Sequence, residues 1–94
     1  MGAEHADVAG QTRRVFEIIG QALASAGANL ADVVQTRMYL TSAADWQEVG
    51  KVHREVFEET RPAATMVVVA GLLNPEWRIE IEADAILQTP SDNE

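Results

Sequence analysis

Residues 61–87 constrain what this 94-residue chain can fold into more than any other segment. Arg61-Pro62-Ala63-Ala64-Thr65 feeds the apolar run Met66-Val67-Val68-Val69-Ala70, and a residue before proline is pushed out of the helical region. A turn over residues 71–76, with Asn74-Pro75 as its strongest signal, separates this run from Arg78-Ile79-Glu80-Ile81-Glu82-Ala83-Asp84-Ala85. The second run alternates with period two, so Glu80, Glu82 and Asp84 share one strand face. Two strands are therefore predicted, over about residues 64–70 and 77–87. One is apolar on both faces and the other is acidic on one. In so small a chain, that pairing points to an acid-lined site or a subunit interface.

Upstream, helical spacing predicts an amphipathic helix over about residues 7–26. Its stripe is Val8, Thr12, Val15, Ile19, Ala22 and Ala26, widened by Ile18 and Leu23. Gln11, Arg14 and Glu17 fall on the wet side, and Gly27 is placed to end the helix in a left-handed conformation. Residues 33–40 read as a strand with Val34, Thr36, Met38 and Leu40 on one face. Ser42 to Asp45 has capping-box spacing before a second helix, whose predicted stripe is Trp46, Val49, His53, Val56 and Phe57. The order helix, strand, helix, strand, strand gives a single α/β (α+β) domain over residues 1–94, with 88–94 as a frayed tail. Two helices on one face leave the other sheet face bare. That face is expected to carry Glu80, Glu82 and Asp84 with Ala64, Met66 and Val68, and an apolar patch rimmed by acids favours a homo-oligomer.

Composition narrows the function classes. Seven Lys and Arg against fifteen Asp and Glu give a net charge of −8, which disfavours a general phosphate-backbone binder. The first residues lack the basic and apolar regions of a signal peptide, and no apolar run is long enough to span a bilayer, so a cytoplasmic location without membrane partners is the default. There is no cysteine, hence no disulfide and no thiolate chemistry. The two histidines are far apart and no metal-ligand spacing exists, so neither metal nor cofactor is expected. No nucleophile elbow or glycine-rich phosphate loop is present. The acids on residues 80, 82 and 84 most simply form a solvated face. Glu80 is the best candidate for acid–base work because it lies nearest the middle of the strand. His53 reads first as a core histidine and only second as a base.

The ordered set of motifs resembles the RidA/YjgF/UK114 (L-PSP) family over about residues 7–87. The resemblance rests on residues 11–28 with Asp32-Val33-Val34, on residues 49–57 followed by Arg61-Pro62-Ala63, and on Ile79-Glu80-Ile81-Glu82-Ala83. It implies a chorismate-mutase-like fold, a homotrimer with small-metabolite clefts between subunits and, in active members, hydrolysis of reactive 2-imino acids to 2-keto acids and ammonia. An arginine directly after Pro-Ala then clamps the substrate carboxylate, and a glutamate at the position of Glu80 holds or activates water.

This chain departs from that pattern. The clamp position is Ala64, an expected asparagine is Gly50 and an expected tyrosine is His53. The family's N-terminal β-hairpin has no counterpart before Asp7. The resemblance thus implies a cleft wall of Ala64, Thr65 and Met66 with Arg78, and a catalytic Glu80. Proximity alone, in sequence for Arg61 and on the strand face of Glu80 for Arg78, makes these two the candidate replacement anion contacts. The leading expectation is a homotrimer binding a small carboxylate metabolite, with 2-imino acid deaminase activity diverged or lost. The alternatives are an active enamine/imine deaminase using another cation, an endoribonuclease or translation inhibitor, against which the charge counts, and a purely structural partner.

Overall fold

A computed structural model describes residues 7–87. Helix α1 (Val8–Ser25) is followed by strand β1 (Val33–Leu40), helix α2 (Trp46–Val56), strand β2 (Ala63–Val68) and strand β3 (Ile79–Ala85). The expected frayed tail and His5 lie outside the described residues. The sheet order is β2-β1-β3, with β1 parallel to β2 and antiparallel to β3. The parallel pair is joined through α2, the kind of crossover that parallel strands require. Two helices on one face of a mixed sheet make the α+β arrangement expected from the sequence. Among the described residues, no helix is long and apolar enough to cross a membrane.

Local signals set the helix ends. Asp7 caps α1 by accepting from the Gly10 amide at 2.8 Å. Gly27 ends it at φ 84°, while the Ala28 amide donates to the Leu23 carbonyl, as in a Schellman closure. The capping box forms elsewhere than expected. Asn29 and Asp32 satisfy each other's backbone amides around the 3-10 turn Leu30–Asp32, whereas Ser42 caps only the Ala44 amide. Asp45 turns away to a distant arginine.

The core lies between the helices and the covered sheet face. Val8, Met38, Leu40, Val49 and Ile79 form one buried cluster, and Phe16, Val33, Val52 and Phe57 form the other. The predicted stripes need correcting at both helices. Gln11 and Phe16 are buried on α1, while Ile18 is 48% exposed. On α2, Val52 is buried and Trp46, expected as an anchor, is 57% exposed. Burying one Phe or Val side chain contributes about 1.5–3 kcal/mol, so Phe16 and Val52 carry much of the helix–sheet adhesion.

A β-bulge at Val34 breaks the alternation of β1. Val33 pairs with Ala85 but Gln35 pairs with Asp84, so both Val33 and Thr36 turn inward. Strict period two placed Val34 inside; the extra residue leaves it 44% exposed.

Candidate functional site

Strand register decides which candidate residues meet. Thr36 pairs with Ala64 and Met38 with Met66, on the face covered by the helices. Arg37 pairs with Thr65 and Glu82, and Tyr39 with Val67 and Glu80, on the open face. The expected face combining Glu80 with Ala64, Met66 and Val68 therefore does not form. Side chains alternate across a pleat, and even-numbered residues of β2 lie opposite even-numbered residues of parallel β1. Thr65 and Val67, not Ala64 and Met66, share the open face with Glu80.

Ala64 instead helps to line a cleft of about 670 Å³ between α2 and the start of β2, together with Gly50, His53, Phe57 and Arg61. The cleft exists because the chain must reverse there. The Phe57 amide closes on the His53 carbonyl, and the Arg61 amide on the Phe57 carbonyl. Arg61 then adopts φ 49° immediately before Pro62. A non-glycine residue in this left-handed region costs about 1–2 kcal/mol and persists only where its surroundings dictate it. A Cβ added at Gly50 would stand 3.9 Å from Met66 Cε, so position 50 faces β2 with room for a side chain.

His53 stands in the cleft wall and is tied to the sheet. Its Nε2 shares a 2.8 Å hydrogen bond with Oγ1 of the fully buried Thr36. Its ring packs against Phe16 and Phe57, with centroids 5.9 and 4.8 Å away. Burial holds its pKa below the ordinary histidine value, because low-dielectric surroundings disfavour the charged ring. The neutral imidazole is a hydrogen-bonding wall residue as well as a core residue.

The open face carries a separate polar cluster. Arg37 donates from Nε to Glu82 at 2.9 Å and pairs with Asp84 at 3.1 Å, while the Tyr39 hydroxyl donates to Glu82 at 2.9 Å. The Arg37 hydrogen bond, followed by that of Tyr39, holds the Glu82 carboxyl below its ordinary range. The same contacts raise the pKa values of Arg37 and Tyr39. Glu80 makes no side-chain hydrogen bond or ion pair among the described residues, leaving its carboxylate available. It borders an apolar groove of about 370 Å³ between α1 and β3, with Ile18, Trp77 and Ile81.

Arg78, expected as a ligand contact, is already occupied. Its guanidinium grips Asp45 at 2.7 and 3.2 Å, and its raised pKa follows first from that hydrogen bond. Asp45 is nearly buried, so the pair ties the start of β3 to the turn before α2. Among the described residues no cluster of three or more His, Asp or Glu could hold a metal ion.

Residues 2–87 match the family described as endoribonuclease L-PSP. The chain belongs to that family. The L-PSP relatives include the 3-aminoacrylate deaminase RutC of Acinetobacter baylyi, 42% identical over 79 residues, which are 84% of this chain and 62% of RutC. Rv2704 of Mycobacterium tuberculosis, a member of the YjgF/YER057c/UK114 family, superposes with a TM-score of 0.86 at 47% identity, covering 93% of this chain and 71% of its own. Escherichia coli TdcF with bound serine superposes with a TM-score of 0.82 at 28% identity, covering 88% of this chain and 67% of its own. The chain spans about three fifths of the length of the curated relatives it matches.

Within the L-PSP fold, the structure unites Gly50, His53 and Ala64, the three positions at which the sequence departs from the pattern, around one cleft. Sequence reasoning missed Phe57 as a wall residue and Asp45 as the partner of Arg78. No local signal could have found the latter, since the two lie 33 positions apart. The proline at 62 did mark the turn that brings Arg61 to the cleft.

Proposed function

We propose that this L-PSP family member is a cytoplasmic homotrimer that binds a small carboxylate metabolite and has diverged from, or lost, 2-imino acid deaminase activity. The observation that carries this reading is the cleft of about 670 Å³ with Ala64 in its wall. A bidentate guanidinium clamp at position 64 would fix a carboxylate in plane; a methyl group cannot. The cleft retains hydrogen-bonding and aromatic surface at His53 and Phe57, enough to hold a small keto or amino acid. The serine bound in TdcF, a fold relative, supports that ligand class.

Within one chain Glu80 lies on the opposite sheet face from Ala64. In the proposed trimer, the cleft of one copy abuts the open face of the next. Thr65 and Glu80 then contribute to a site whose other wall holds Ala64 and Met66. Glu80 is the proposed catalytic carboxylate of any remaining turnover, because its neighbours Glu82 and Asp84 are engaged by Arg37.

The test combines mass with turnover. Sedimentation equilibrium should give three times the monomer mass, and ammonia release from enzymatically generated 2-aminoacrylate should match buffer alone. A monomer at micromolar concentration would overturn the assembly, and clear acceleration abolished by Glu80→Ala would overturn the lost activity. The second outcome would favour an active enamine or imine deaminase, a reading supported by the 42% identity to RutC.

A further inference from the structure

We propose that Arg61 receives the anionic group of the ligand in the α2–β2 cleft, in the role that position 64 can no longer fill. The proposal rests on the reading above, that this cleft binds a small carboxylate metabolite, and specifies how. Arg61 lines the same cleft as Ala64, only three positions earlier in the chain.

Its charge is uncommitted. Arg13, Arg14, Arg37 and Arg78 each pair with a carboxylate, whereas Arg61 is exposed and makes no ion pair among the described residues. Arg54 also lines the cleft, so two arginines there face Glu55, already held by Arg13 at 3.2 Å, and Glu58. In a chain of net charge −8, a lining in which two arginines balance two glutamates, one of them already paired with Arg13, repels an anion less than the acidic surface at large.

The backbone adds a separate reason. Arg61 sits at φ 49°, where glycine or asparagine would serve the turn with less strain. Strain retained at a cleft wall points to a use for that side chain beyond the turn. A guanidinium offers a carboxylate two parallel donors, which is the contact the Ala64 methyl group lacks.

The experiment titrates the full chain with pyruvate and with pyruvamide, its uncharged analogue, following amide resonances of Gly50, His53 and Ala64. The variant Arg61→Gly removes the cation and keeps the turn, because glycine adopts positive φ freely. Wild type should bind pyruvate more tightly than pyruvamide. Arg61→Gly should weaken pyruvate about ten-fold or more and leave pyruvamide unchanged, with Arg61→Lys in between. If Arg61→Gly binds pyruvate as wild type does, the inference fails while the cleft reading stands. If wild type shifts with neither compound, the cleft reading itself fails and takes the inference with it.

Discussion

Thr36 Oγ1 and His53 Nε2 share a 2.8 Å hydrogen bond that fastens α2 to the middle strand of the sheet. Because burial holds the His53 pKa down, the unfolded chain takes up this proton more readily than the folded one. The resulting stabilisation is fully present above the unfolded pKa of about 6.5 and declines as pH falls through it towards the folded value. Calorimetric Tm should therefore drop between pH 7.5 and 5.5, and His53→Gln should show a smaller drop. Equal pH dependence in the two proteins would remove His53 as the cause.

Gln11 takes the place of a strand neighbour for the start of β3. Its Oε1 accepts from the Arg78 amide at 2.8 Å and its Nε2 donates to the Glu76 carbonyl at 3.0 Å. Gln11→Leu fills similar space but leaves those backbone groups unsatisfied, at a cost of about 1–3 kcal/mol. Urea unfolding measures the loss, and amide exchange should quicken at Arg78 ahead of the rest of the sheet. Unchanged exchange there would show that Gln11 does not hold the strand.

Arg61→Gly should raise stability by up to about 1 kcal/mol, since glycine relieves the left-handed strain while adding some unfolded-state entropy. A midpoint shift to higher denaturant at constant slope is the expected result. A fall in stability would mean that Arg61 packs productively in the turn.

Ala64→Arg returns a guanidinium to the cleft wall. A charge-assisted contact contributes about 1.5–3 kcal/mol, so ammonia release from 2-aminoacrylate should rise about ten-fold or more over the parent protein. The double variant with Glu80→Ala should lose that gain. An Ala64→Arg protein that folds and trimerises yet releases no more ammonia would show that the clamp is not the missing element.

Most of the fold was legible because its signals are local. Gly27 ended α1, Pro62 ended the loop, and alternation from Ile79 to Ala85 set β3. What escaped depended on long-range partners. Gln11 has the polarity of a wet-side residue, and what draws it inward is backbone at Glu76 and Arg78, more than sixty positions away. Phe16 lies at helical spacing from Thr12 and Ile19, so its burial belongs to the same stripe. The sheet faces were misassigned because parity within a strand says nothing of parity between strands until the register is known. That one parity puts Ala64 and Met66 on the sheet face of Glu80, whereas the register places them on the opposite face.

The cluster on the open face limits the symmetry of any assembly. Glu80, Glu82 and Asp84 share that face with Arg37, which pairs with the last two. Two copies meeting there around a twofold axis would set acid against acid, and like charges brought together out of water repel strongly. An isologous dimer through this surface is therefore disfavoured. In a homo-oligomer built through this face, each copy would meet a different patch of the next, and a repeated contact of that kind must either close into a ring or run on as a filament.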